Sequence, residues 1–172
     1  MKPMFTLKNT QRALLAAGLM AATTAGFAAT VNTTFQVTAS VAAQCKVTAN
    51  DLAFGPVDPL GANVDINTTI TVNCTKNSGY TVGLDAGTTT GTSIGTRLMA
   101  NGANTMQYNL YTDVGRASVW GNSAGSWVSG TGLGLGVAQA QTLTVYGRVP
   151  AGQTALAVGN YTEPTITVTV TY

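Results

Sequence analysis

Strict two-residue alternation runs through this chain and limits what it can fold into. At the end of the sequence Thr165, Thr167, Thr169 and Thr171 alternate with Ile166, Val168, Val170 and Tyr172. Residues two apart share one face of an extended chain, so the segment is apolar on one side and hydroxylated on the other. Threonine is a good strand former and keeps the outer face wettable. Residues 66–74 repeat the pattern. Ile66, Thr68, Ile70, Val72 and Cys74 share one face, and Asn67, Thr69, Thr71 and Asn73 share the other. Tyr80, Val82 and Leu84 form a further inward set, as do Met106, Tyr108 and Leu110, then Leu143 and Val145. Glycine- and asparagine-rich loops are expected at 87–95, 101–104, 121–136 and 150–159.

Residues 1–28 are different and read as an export signal. Lys2, Lys8 and Arg12 supply a cationic start, Ala13–Ala22 an apolar run, and Ala25-Gly26-Phe27-Ala28 a small-residue site that predicts cleavage after Ala28. The apolar run falls well short of the ~20 residues a membrane span needs, so no span is expected. Cleavage leaves five cations against six carboxylates, a net charge of −1. The apparent basicity belongs to the signal, and no basic patch remains to bind nucleic acid. The chain has no histidine, which excludes histidine acid–base catalysis, Ser–His and Cys–His nucleophiles and histidine metal sites. At 172 residues it is long enough for one domain. An exported chain with two cysteines, Cys45 and Cys74, predicts one disulfide. Closing a loop of about 30 residues is worth roughly 3–4 kcal/mol in the chain-entropy picture. About seven short strands, turn signals and one disulfide predict an all-β sandwich of immunoglobulin-like type over residues 42–172, with no internal boundary.

The segment ahead of Cys45 stands apart. Val31, Thr33, Phe35, Val37, Ala39 and Val41 alternate without interruption with Asn32, Thr34, Gln36, Thr38 and Ser40. It has no charge, glycine or proline, and extended it spans about 36 Å. Two readings fit the periodicity equally: the first strand of the same sandwich, or a strand offered to another molecule, as in β-strand addition.

Other candidates have bland explanations. Gly130-Thr131-Gly132-Leu133-Gly134-Leu135-Gly136 has glycine spacing but no following helix or phosphate-loop lysine, and reads as a flexible loop. Asp51, Asp58 and Asp65 recur every seven residues, too sparse for a calcium site. Asp113 and Glu163 lack the supporting groups of a glycosidase pair. Trp120, Trp127 and Tyr111 suit a sandwich core better than a glycan-stacking platform. No metal, cofactor or enzymatic activity is expected.

The order of several short motifs resembles the spore coat protein U domain, which also builds the subunits of archaic (Csu-type) chaperone–usher pili. They include Leu52-Ala53-Phe54-Gly55 after Cys45, Thr71-Val72-Asn73-Cys74-Thr75 and Tyr80-Thr81-Val82-Gly83-Leu84-Asp85-Ala86-Gly87. Arg97-Leu98-Met99, Met106-Gln107-Tyr108-Asn109-Leu110-Tyr111, Trp120-Gly121, Val145-Tyr146-Gly147-Arg148-Val149 and Gly159-Asn160-Tyr161 continue the order. Glu163-Pro164 departs from the pattern and leaves the start of the last strand open. The resemblance implies an incomplete immunoglobulin-like β-sandwich completed by donor-strand exchange. Residues 29–41 would be the donor strand, with Val31, Thr33, Phe35, Val37, Ala39 and Val41 entering a neighbour's groove. Ile166, Val168, Val170 and Tyr172 would form the edge strand of the acceptor groove. The implied partners are identical or related pilins, a periplasmic chaperone and an outer-membrane usher, and the implied destination is the cell surface. The alternative is a secreted spore-coat or surface binding protein that does not polymerise.

Overall fold

The computed structural model describes residues 26–172. The predicted signal up to residue 25 lies outside them. The chain divides into two units between Ala39 and Ser40. In the first, residues 26–39 form no helix or strand.

The second unit is all-β apart from one short 3-10 turn at Val137–Gln139. Its strands are β1 (Cys45–Ala49), β2 (Val64–Cys74), β3 (Gly79–Leu84), β4 (Arg97–Asn101), β5 (Asn104–Tyr111), β6 (Val128–Thr131), β7 (Gln141–Val149) and β8 (Val168–Thr171). They make two sheets, ordered β1-β2-β7-β5-β4 and β6-β3-β8. Every pairing between these strands is antiparallel. The alternation in the sequence becomes the inner face. Ile70, Val72 and Cys74 of β2, Val82 and Leu84 of β3, Leu110 of β5, and Val145 and Val149 of β7 are all buried. Trp120 joins them, and its indole N–H donates to the Val82 carbonyl at 2.8 Å.

The expected disulfide is formed. Cys45 and Cys74 face each other across the β1–β2 pair and are bonded.

Two expectations are corrected. Residues 121–136 were expected to be loop throughout, yet Val128–Thr131 is a strand paired with β3. Gly130 sits opposite Tyr80, and a Cβ there would lie 2.5 Å from the phenol oxygen, so glycine makes room for the ring. A four-residue strand with a glycine carries too little pattern to be read as one. The last strand is also shorter than its alternation suggests. Pairing begins at Val168, and Ile166 lies outside it. Before that point two N–H groups go to side chains, Thr165 to Glu163 and Thr167 to Asp85, at 3.1 and 2.9 Å, while the Thr167 carbonyl accepts from Asp85 N–H at 3.1 Å. Pro164 has no N–H to offer a ladder.

Among the described residues one charge lies inside. Arg97 is 0% exposed. It donates to Asn109 Oδ1 (2.6 Å) and to the carbonyls of Trp120 (2.7 Å), Asp85 (2.8 Å) and Leu84 (3.2 Å). Burial pulls its pKa below the usual arginine range.

Candidate functional site

The inner faces of the two sheets do not close on each other completely. Between them runs an apolar groove of about 1360 Å³. Ile70, Val145, Met106, Tyr108 and Leu110 of the larger sheet line one side, and Leu84 and Val168 of the smaller sheet the other. The volume exceeds the ~300–1,000 Å³ usual for small-molecule sites. The lining has no acid–base pair or nucleophile in a catalytic arrangement.

The segment after β1 partly roofs the groove. Thr68 sits on the inward face of β2, and its hydroxyl explains why a polar residue is tolerated there. It donates to the carbonyls of Asp51 (2.9 Å) and Asn50 (3.1 Å), tying the segment down. Leu52 and Phe54 then reach over Gly147 of β7. A Cβ on Gly147 would lie 2.5 Å from Leu52 Cδ2 and 3.0 Å from Phe54 Cζ. Phe54 meets Tyr108 edge-on at 6.0 Å between ring centres. The Tyr108 hydroxyl is buried without a hydrogen-bond partner among the described residues, and burial raises its pKa.

The opposite rim is clamped by Glu163. Its carboxylate accepts from Thr88 Oγ1 (2.7 Å) and Thr89 N–H (2.8 Å). Gly87, with φ +88°, is the close neighbour that lets the carboxylate in. Burial pushes the Glu163 pKa up, but the bonds from Thr89 and Thr88 outweigh it and hold it at about 2.

The predicted site residues fall in two places. Val168 and Val170 lie in β8 and are half-buried, and Ile166 packs against the core just ahead of it. Tyr172 follows β8 and is exposed. β8 is an edge strand, with β3 its only strand partner among the described residues. Val31, Thr33, Phe35, Val37, Ala39 and Val41 are all exposed, Phe35 by 86%. They belong to no strand among the described residues.

The remaining candidates resolve individually. Among the described residues no cluster of Cys, Asp or Glu is arranged to hold a metal. Asp65 is paired with Arg148 (2.7 Å) and Arg116 (3.3 Å). Asp113 accepts from the N–H groups of Ser118 (2.7 Å) and Ala117 (3.1 Å), and Glu163 serves the rim, so neither is poised for hydrolysis. Trp120 is core, and of the proposed stacking trio only Trp127 is substantially open, at 38%. No helix of the described residues is long and apolar enough to cross a membrane. Sequence reasoning missed the roles of Arg97 and Gly147. Both depend on partners distant in sequence, and only their place in short motifs was visible.

The class defined by these features is an all-β domain of two antiparallel sheets with an apolar groove between them. The Spore Coat Protein U domain matches residues 31–171, and this chain belongs to that family. It is 33% identical to "Protein U" of Myxococcus xanthus over 98% of this chain and all of that one. Among solved structures it is similar in fold to a chain of the CsuC–CsuE chaperone–tip adhesion subunit pre-assembly complex. That complex comes from the archaic chaperone–usher Csu pili of Acinetobacter baumannii. The match has a TM-score of 0.56 at 21% identity, and covers 77% of this chain and 40% of that chain.

Proposed function

We propose that this protein is a structural subunit of an archaic chaperone–usher pilus. It polymerises by laying its N-terminal strand, residues 29–41, into the groove of the neighbouring subunit. One observation supports this reading: a groove and an alternating segment suited to it occur in the same chain. It has an open apolar groove beside the edge strand β8, and an exposed, uncharged, alternating segment at 31–41. An extended strand supplies backbone hydrogen bonds to the edge while Val31, Phe35, Val37 and Val41 fill the groove. Burying each of these is worth ~1.5–3 kcal/mol before entropic costs. An exposed apolar edge also aggregates, which gives a periplasmic chaperone its task before an outer-membrane usher delivers the subunit. The polymer would stand on the cell surface and serve adhesion and biofilm formation, with no catalytic role.

Phe35→Arg tests this. It places a charge in the neighbour's groove, so filaments should disappear while the exported subunit keeps its fold. In parallel, a synthetic peptide of residues 29–41 should sharply raise the melting temperature of the 42–172 domain. Normal filament yield from Phe35→Arg, or a domain indifferent to the peptide, would reject donor-strand exchange. The family's description as a spore coat domain favours a second reading, a non-polymerising coat or surface binding protein. That reading predicts a monomer stable on its own.

A further inference from the structure

The smaller sheet has an outer face as well as an inner one. Ser129 of β6, Thr81 of β3 and Thr171 of β8 are register partners, so three hydroxyls stand in one row across the sheet. Their neighbours Val128, Val82 and Val170 pack inward, which turns the row toward water. Trp127 lies two residues from Ser129, on the same face, and is 38% exposed. Tyr172 follows Thr171 at the other flank and is 57% exposed. These residues and Gly79 line a depression of about 490 Å³. It shares no lining residue with the interlayer groove, so filling the groove does not fill it.

Two details there have no explanation within the fold. Gly79 is the first residue of β3, opposite Thr131. Its φ lies outside the left-handed region, and a Cβ there would meet nothing within 4 Å. Neither backbone nor packing asks for glycine, yet its small size keeps the floor of the depression low. Glycine at such a place marks the close approach of another molecule. The second detail is Trp127. Trp120 is buried and gives its indole N–H to the Val82 carbonyl, whereas Trp127 keeps an open ring and, among the described residues, no partner for its N–H.

The chemistry of the lining selects the ligand. It contains no charged residue, so an ion would lose hydration with nothing to replace it. A purely apolar ligand would cover the Ser129, Thr81 and Thr171 hydroxyls and leave them unpaired. A neutral sugar suits both parts. Its ring C–H groups lie on the negative face of an aromatic ring, and its hydroxyls bond to a row of hydroxyls. The volume falls within the ~300–1,000 Å³ usual for ligand sites.

We propose that the outer face of β6-β3-β8 binds a neutral glycan chain. One sugar ring lies on Trp127 and another against Tyr172, with the Ser129, Thr81 and Thr171 hydroxyls between them. The site goes beyond the pilus reading and does not depend on it. In a polymer it would recur on every subunit.

Calorimetric titration of the exported full chain with cellohexaose, maltohexaose and chitohexaose tests this. At least one of these neutral hexasaccharides should bind saturably, and an anionic galacturonate hexamer should not. Trp127→Ala, and Gly79→Leu, which fills the floor, should each weaken binding about tenfold or more, and Trp127→Phe should keep most of it. If Trp127→Ala fails to fold, Gly79→Leu decides alone. No binding of any neutral hexasaccharide, or affinities that both substitutions leave unchanged, would overturn the proposal. So would a galacturonate hexamer bound as tightly as the neutral chains. A second copy of the chain on this face would show instead as self-association in sedimentation that Trp127→Ala abolishes and sugars do not touch, which also overturns it. Filaments that form normally but bind no sugar would reject this site alone.

Discussion

Arg97 Nη1 lies 2.6 Å from Asn109 Oδ1, where β4 passes β5 in the closed interior of the domain. Asn109 in turn donates its amide to the carbonyls of Ile94 and Gly95, at 3.1 and 2.8 Å. The pair is a polar keystone that joins β4, β5, the end of β3 and the Trp120 carbonyl. No carboxylate faces the guanidinium directly. Carbonyl and amide oxygens carry the compensation.

Removing one partner of such a group strands the others. Arg97→Ala removes a donor from Asn109 Oδ1 and from three carbonyls and should cost about 3–5 kcal/mol. Arg97→Lys keeps the charge but not the planar fork, and should recover only part of the loss. Urea unfolding of the exported chain measures both. A lysine variant as stable as the parent would show that charge alone suffices.

Glu163 makes the groove rim acid-sensitive. Its folded pKa of about 2 lies below the ordinary value of 4.5. A carboxylate depressed in the folded state stabilises above its unfolded pKa, and that contribution is lost as pH falls from about 4.5 to about 2. Solvent screening of this half-exposed group limits the effect to about 1 kcal/mol. Melting temperature should therefore drop in that window for the parent, and less steeply for Glu163→Gln. Parallel curves would mean the clamp contributes nothing.

Tyr108 offers a cleaner comparison. Its buried hydroxyl has no partner within the described chain. Tyr108→Phe should be neutral or stabilising by up to about 1 kcal/mol in the isolated subunit, because an unpaired polar group is removed. A loss above about 1 kcal/mol in thermal denaturation would reveal a hydrogen bond to the hydroxyl.

Gly147 is where β7 yields to the roof. Gly147→Val would drive Leu52 and Phe54 from their seats, at a cost of about 1–3 kcal/mol. If the roof shapes the groove, the same variant should also bind the 29–41 peptide more weakly. Calorimetric titration reads this, and unchanged affinity would confine Leu52 and Phe54 to stability alone.

What could be read in advance follows from how far each feature reaches along the chain. β2, β5 and β7 advertise themselves because one face is buried and the alternation is local. β6 is four residues long and includes Gly130, so its strand state depends on Tyr80, fifty positions earlier. The start of β8 is decided by Asp85 and Glu163 taking backbone N–H groups, which no periodicity encodes. Nothing local marks Arg97 as buried; the carbonyls of two separate segments and the Asn109 side chain surround it only in the fold. The candidate site divides in the same way. The alternating, charge-free run at 31–41 is plain in the sequence. The groove is a space between distant elements, and its roof over Gly147 has no local signature.

The Cys45–Cys74 bond also sets how the domain bears load. A pull on residue 44 would otherwise peel β1 from β2 one hydrogen bond at a time, the weakest way to stress a sheet. With the first residue of β1 covalently joined to the last of β2, tension passes directly into β2. That strand is held to β7 across nine facing pairs, from Val64–Val149 to Val72–Gln141. Its bonds are loaded together, in shear. The disulfide thus works as an anchor bolt at the root of the N-terminal segment, and the domain behind it would resist stretching far better than its short edge strand suggests.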